Sequence, residues 1–360
     1  MPFPSRQSLF QITFLAKYSG TTQVQSSFEP TMRKAVLLFN PNSGGTGRKQ
    51  SKRRFEVESV VKLLRNANVD AQLVLTNSSG EAEHQARQAV QDGCDTVFAC
   101  GGDGTIHTVV QVLANTSVAL AILPLGTANA LAHDLRLPMN LKDAARVALH
   151  GEPRRVALGR IQFRDLHGNP GARFFAVAAG AGVDAHLFYK LRTGTKQRMG
   201  MAAYYAKAWQ LWFSYPMTRF RVELAETGSK NGAPRQADVT ELLAVRIRNF
   251  GGVLQELAPG ASLDRDDVRV IFCRTSSRLA YLLYVTRGML RLNWKVPGIE
   301  SAYSGRVLCE YLLGPSASST AQAETKIHVE TDGELVGTLP AEITVVPDAL
   351  TLLGPRRDVQ

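Results

Sequence analysis

The sequence predicts an α/β protein with an all-β half appended: an N-terminal Rossmann-like parallel sheet with helices on both faces, then a C-terminal antiparallel, β-sandwich-like domain. Three observations carry this. Residues 34–150 alternate short apolar runs with helix-period segments, the order that builds a parallel sheet. After about residue 155 the pattern changes to short β-rich runs separated by Gly, Pro or polar turns, as antiparallel sheets require. Within the first of these stretches, Cys100-Gly101-Gly102-Asp103-Gly104-Thr105 sits where a buried run turns into a helix, the junction at which α/β sheets bind ligands.

In chain order, Ala35-Val36-Leu37-Leu38-Phe39 is the first strand, followed by the loop Asn40–Gly45 and a helix carrying Phe55, Val57, Val60, Val61 and Leu64. Ala71–Thr76 is the next strand and ends at Asn77-Ser78-Ser79-Gly80; an Ala-rich helix spans about 81–92. Asp95–Cys100 leads into the glycine loop. Ile106, Val109, Val110 and Leu113 then mark one helix face at i, i+3, i+4 and i+7. Val118–Leu123 is apolar throughout, as a strand covered on both faces should be. It ends at Pro124–Asn129, and two helices follow near 129–135 and 140–150, with Asn140 as N-cap and Gly151 as C′ residue.

In the second half, Arg160–Phe163, Phe174–Ala178, Phe220–Leu224, Leu242–Ile247, Val268–Phe272, Ile327–Thr331 and Ile343–Val346 are strand candidates. Helical segments are expected at 200–213 and 278–292, and Pro315–Glu324 reads as a flexible loop. The domain division is therefore a tail over 1–31, disordered or untranslated if Met32 is the true start, a nucleotide-binding domain over 32–155 and a β-domain over 156–350.

The net charge of +11, from 42 Lys+Arg against 31 Asp+Glu, favours an anionic partner. The basic residues are scattered, which argues against nucleic acid as the partner. Cys94, Cys100, Cys273 and Cys309 are widely spaced, excluding a disulfide framework or thiolate zinc site and suiting a reducing cytoplasm. No apolar stretch reaches membrane-spanning length, and the N-terminal run Leu9–Ala16 is too short and interrupted for a convincing signal peptide.

At the glycine loop, unpaired N–H groups and the helix dipole favour phosphate. Asp103 would repel a phosphate unless a cation lies between, so it suggests Mg²⁺ held directly or through water. The alternative at this spacing is a tight turn with Asp103 as a cap. Asp332-Gly333-Glu334, between two β-rich runs, reads either as a hairpin turn or as a pair of carboxylates available for proton transfer.

Asn40-Pro41-x-Ser43-Gly44, Gly101-Gly102-Asp103-Gly104-Thr105 and Pro124-Leu125-Gly126-Thr127-Ala128-Asn129, taken in this order, resemble the diacylglycerol kinase catalytic-domain family, which includes bacterial soluble lipid kinases and the sphingosine and ceramide kinases. Gly180-Ala181-Gly182-Val183-Asp184-Ala185, the segment Pro259–Val270 and Asp332-Gly333-Glu334 extend the resemblance over about 34–350. It implies ATP- and Mg²⁺-dependent phosphorylation of a lipid hydroxyl in phospholipid or sphingoid metabolism. Asn40, Pro41, Asn42, Ser43, Gly44, Thr76, Gly101, Gly102, Asp103, Gly104, Thr105, Ile106, His107 and Thr127 would bind ATP. Glu334, with Asp332 as its rival, would be the base; Asp103 would serve the catalytic Mg²⁺, and Asp184 would contact the lipid head. Leu263, Asp266 and Val268 would hold a structural Mg²⁺ through two carbonyls and a carboxylate, although Asp267 stands where the family has glycine.

The chain also departs from many bacterial members at Ala130 and Ala157, where they carry acids that support the catalytic Mg²⁺; Asp134, one helical turn past Ala130, is the substitute on offer. Tyr204, Tyr205, Lys207, Trp209, Trp212 and Phe213, and separately Arg287, Arg291, Trp294 and Lys295, suit contact with a membrane, or else a core-facing helix. The expected partners are thus ATP and a membrane lipid, with transient contact at the inner face of the membrane and an oligomeric state left open, a homodimer included. The rival readings are an NAD kinase-like enzyme and a non-catalytic nucleotide- or lipid-binding module.

Overall fold

The computed structural model describes residues 32–43, 48–183, 217–227, 234–251, 257–290, 292, 294–312 and 326–355. The expected tail over 1–31, Gly44, Asp184, the helix at 200–213, Arg291 and the loop at 315–324 lie outside the described residues.

Four parallel strands open the fold: β1 (Lys34–Phe39), β2 (Asp70–Leu75), β3 (Thr96–Gly101) and β4 (Ala119–Pro124), in spatial order β2-β1-β3-β4. Every residue of β3 and β4 is buried, as their unbroken apolar sequences require. Side chains alternate between two cores. Val36, Leu38, Val97, Ala99, Leu120 and Ile122 pack on one face with α2 (Ser79–Gln91) and α3 (Asp103–Leu113). Leu37, Phe39, Phe98, Cys100, Ala121 and Leu123 pack on the other with α1 (Arg48–Asn66) and α5 (Leu141–His150). The short α4 (Ala130–Asp134) packs Ala130, Leu131 and Ala132 into the first of these cores. Asn140 caps α5 through its side chain, as expected. Gly151 does not act as a left-handed C′ residue: its φ is −74°. Glycine is needed there because a Cβ would lie 2.3 Å from Gly354 O and 2.5 Å from Val147 O.

The second half comprises β5 (Glu152–Arg164), β6 (Pro170–Phe175), β7 (Ala178–Gly182), β8 (Phe220–Glu226), β9 (Arg235–Val239), β10 (Glu241–Val245), β11 (Val268–Cys273), α6 (Arg278–Met289), β12 (Ile299–Tyr311), β13 (His328–Thr331) and β14 (Glu334–Gly354). The pairing β14-β13-β7-β10-β11-β12 closes on itself because β12 also pairs with β14. The antiparallel half is therefore a ring of strands, more closed than a sandwich, around Phe175, Ala181, Leu242, Val270, Phe272, Val307, Val329 and Ile343. The expected strand 174–178 is split between β6 and β7, because the N–H groups of Ala176 and Val177 bond to a side chain instead of a neighbouring strand.

β14 joins the two halves. Its first residues pair with β13, its middle with β12 and β5, and Thr351 and Leu352 pair in parallel with Ala119 and Leu120 of β4. A second tie comes from Gln111 of α3. Its Oε1 accepts from Phe174 N at 2.9 Å and its Nε2 donates to Phe174 O at 2.7 Å, imitating a strand partner for β6. Gln111→Ala is expected to lower unfolding free energy by about 1–3 kcal/mol in urea titrations, from two broken bonds partly replaced by water.

Candidate functional site

The carboxyl ends of β1, β3 and β4 bring three loops together. Leu125 N donates to Gly101 O, Asn40 N donates to Cys100 O, and Gly102 N donates to Ser43 Oγ at 3.3 Å. The glycines are used for close approach. A Cβ on Gly126 would lie 2.6 Å from Gly102 Cα and 2.7 Å from Asn129 Oδ1; one on Gly101 would strike the Thr105 side chain. Asn129 takes a left-handed φ of 49°, and its side-chain amide exchanges two hydrogen bonds with Gly126.

Asp103 makes no side-chain cap of its own helix. Its carboxylate instead accepts from Asn129 N at 3.0 Å and Ala130 N at 2.8 Å, fastening the glycine loop to the Pro124–Asn129 loop. Ala130 thereby contributes only a main-chain N–H. The Asp134 Oδ1 accepts from Arg248 N and Asn249 N, tying α4 to the residues after β10, and burial raises its pKa.

Among the expected ATP residues, Thr76 is the most telling. Its hydroxyl is buried and has no hydrogen-bond partner among the described residues, an orphaned polar group beside the Asn40 loop that a ligand would satisfy. Pro41 and Ser43 are half-buried, and Asn42 and Thr127 are exposed. Ile106 does not face the site: its side chain packs in the core and its N–H donates to Gly102 O, so no polar group is left for a nucleotide.

On the opposite side, Asp332-Gly333 forms the turn between β13 and β14, with φ of 48° and 80°. The segment is thus a hairpin turn, one of the two readings its sequence allows, and its side chains admit the other as well. The Asp332 side chain is 5% exposed and accepts from Ala176 N, Val177 N, Ala178 N and His107 Nδ1, all within 3.1 Å. Glu334, two residues on, is half-buried and forms no hydrogen bond among the described residues. Its Oε1 lies 3.1 Å from where a Cβ on Gly104 would project, over the first turn of α3. The two carboxylates therefore have different work: Asp332 is saturated and Glu334 is available.

Burial disfavours a charged His107, but its hydrogen bond to Asp332 and the charges of Asp332 and Glu334 outweigh that, and its pKa is raised despite Arg173 nearby. Glu334 and His107 line a cleft of about 560 Å³ with Thr108, Gln111, Arg87, Arg160 and Arg173. Sequence reasoning missed these three arginines. Arg160 and Arg173 lie on a β5–β6 hairpin whose docking onto α3 depends on long-range contact; a basic residue flanking each aromatic strand was the only local sign.

The three expected metal ligands have different surroundings. Leu263 O accepts from Arg246 Nη2, Asp266 is exposed and Val268 is buried in β11. Among the described residues no group of three or more His, Cys, Asp or Glu is placed to hold a metal.

Residues 34–161 match the family model described as the diacylglycerol kinase catalytic domain. Over 333 residues the chain is 26% identical to a diacylglycerol kinase of Bacillus subtilis (strain 168), covering 91% of this chain and 99% of the relative. It is 28% identical over 326 residues to a diacylglycerol kinase of Mycobacterium tuberculosis (strain ATCC 25618 / H37Rv), covering 90% and 96%. A crystal structure of a diacylglycerol kinase from Bacillus anthracis str. Sterne shares the fold, with a TM-score of 0.61 at 16% identity over 90% of this chain and 97% of that one. The relationship anticipated from the motifs is borne out.

Two outcomes are expected from this geometry. Gly126→Ala should force the two loops apart at a backbone–backbone contact and lower stability by about 1–3 kcal/mol, read by thermal denaturation. The His107–Asp332 pair should support the fold fully below about pH 6.5, the unfolded histidine value, and fade as pH rises through the raised folded value. The melting-temperature gap between wild type and His107→Gln should accordingly narrow from pH 5.5 to pH 9.

Proposed function

We propose that this chain is an ATP-dependent lipid kinase that phosphorylates a diacylglycerol-like hydroxyl, with ATP bound in 32–155 and the lipid presented by 156–350. The observation that carries the reading is Glu334: a carboxylate without a hydrogen-bond partner among the described residues, held over the phosphate-binding turn by a fully bonded Asp332. A positioned carboxylate is what removal of a proton from an attacking alcohol requires.

The first turn of α3, after Gly102, supplies a helix N-terminus for the phosphates beside the Asn40–Ser43 loop, and the orphaned Thr76 hydroxyl supplies a further contact. Arg160 and Arg173 bring positive charge to the cleft that Glu334 lines. Asp103 fits Mg²⁺ in chemistry, being a hard oxygen donor at the glycine loop. Bound there, the ion would neutralise charge on the phosphates. Glu334 takes the hydroxyl proton as the lipid oxygen bonds to the γ-phosphorus and the bond to the β-phosphate oxygen breaks. Asp332 and His107 act as positioning residues.

Contact with a bilayer is supported by α6. Tyr281 and Tyr284 fix the helix to the body through Thr240 and Leu257 O. Of its own residues only Ala280 and Gly288 are buried. Leu279 is 64% exposed, and Leu282, Leu283, Val285, Met289, Leu290 and Trp294 are exposed with it. From Arg278 to Lys295 the sequence has four basic residues and no acidic one. An apolar face with a purely basic rim suits an anionic leaflet. No helix of the described residues is long and apolar enough to cross a membrane.

Labelled ATP offered with diacylglycerol, monoacylglycerol, phosphatidylglycerol, ceramide, sphingosine and NAD should give transfer to diacylglycerol. Glu334→Gln should lower kcat by about 10²–10⁴-fold with ATP binding retained. ATP binding by the wild type without transfer to any acceptor would instead favour the non-catalytic module. Leu279→Glu with Trp294→Ala should abolish flotation with phosphatidylglycerol-containing vesicles; unchanged flotation together with loss of a dimer in gel filtration would make α6 a subunit interface.

A further inference from the structure

Arg246 follows β10 and is completely buried, its guanidinium included. Among the described residues it pairs with no carboxylate. Nη1 donates to Asp267 O at 2.6 Å, and Nη2 donates to Ala157 O and Leu263 O, both at 2.9 Å. The nearest candidate carboxylate, Asp267, is already held by Arg265 through two bonds of 2.5 and 2.8 Å. A guanidinium keeps its proton at neutral pH, so the group is a buried cation.

A buried positive charge ringed by main-chain carbonyls, with acidic residues just beyond, is the environment of a hard metal ion. Here the cation comes on a side chain. One carbonyl of the expected magnesium set, Leu263 O, is committed to it. The expected carboxylate, Asp266, is turned to solvent. Asp267, in the place of a glycine, is buried, and its carbonyl supplies another of the bonds. A metal at Leu263 O would meet a guanidinium within hydrogen-bonding distance, two positive charges on one carbonyl.

We infer that the Arg246 guanidinium takes the place of the structural Mg²⁺ that the family resemblance implies at Leu263, Asp266 and Val268, and that this loop binds no metal. The chain has exchanged a diffusible ion for a tethered one. The guanidinium fork spans three segments at once: the start of the second half at Ala157, the 257–267 loop at Leu263, and the approach to β11 at Asp267. The inference does not depend on the kinase reading, and it leaves the separate Mg²⁺ requirement of nucleotide binding untouched.

The test uses the full chain without nucleotide. Its melting temperature should be the same in EDTA, in millimolar Mg²⁺ and in millimolar Mn²⁺, and Mn²⁺ titration followed by electron paramagnetic resonance should show no tight site. Asp266→Ala should change neither result. Arg246→Ala, which leaves three buried carbonyls short of donors, should melt roughly 5–10 °C lower. If that variant does not fold, Arg246→Lys, which keeps the charge but loses the fork, should show a smaller drop. A melting temperature that falls in EDTA, or a stoichiometric Mn²⁺ site abolished by Asp266→Ala, would overturn the inference.

Discussion

The Asp332 carboxylate accepts four hydrogen bonds from two directions: three from consecutive N–H groups at Ala176–Ala178, one from His107 on α3. Those bonds break the strand between β6 and β7, fix the left-handed turn that starts β14, and hold the β-rich half against the helix that begins at the glycine loop. Glu334 has no comparable restraint of its own. Its position is inherited from the turn two residues before it, so the available carboxylate is placed by the unavailable one. Buried charge of this kind is tolerated because every acceptor position is used.

The α/β half was legible because its signals are local. Val118–Leu123 could only be a strand covered on both faces, and Asn140 caps a helix as its type and position suggest. The β-rich half was read less completely. β9, with Arg235, Gln236 and Asp238, and β12, with Ser301, Ser304 and Arg306, carry many polar residues, and their strand character comes from neighbours remote in sequence. At the site, the motifs located the loops but not the division of labour inside Asp332-Gly333-Glu334, which depends on Ala176–Ala178 lying alongside. Ile106 shows the opposite error: adjacency in a motif is not adjacency in space, since every third or fourth position of a helix turns inward.

Ala130 and Ala157 looked in the sequence like losses. In the structure each contributes main chain. Ala130 N–H satisfies Asp103, and Ala157 O satisfies Arg246. Any residue but proline could supply the first and any residue the second, which is why side-chain reading alone assigned nothing to them.

The pairing of β14 with β4 bears on how the protein is made. Ala119 and Leu120 begin a strand with no polar face, and their outer neighbours are Thr351 and Leu352. During translation the first four strands leave the ribosome more than two hundred residues before the segment that covers them. Throughout that interval β4 is a bare sheet edge flanked by apolar surface, the kind of surface that recruits other nascent chains. Premature termination anywhere before β14 would leave that edge open permanently, exposed to edge-to-edge association.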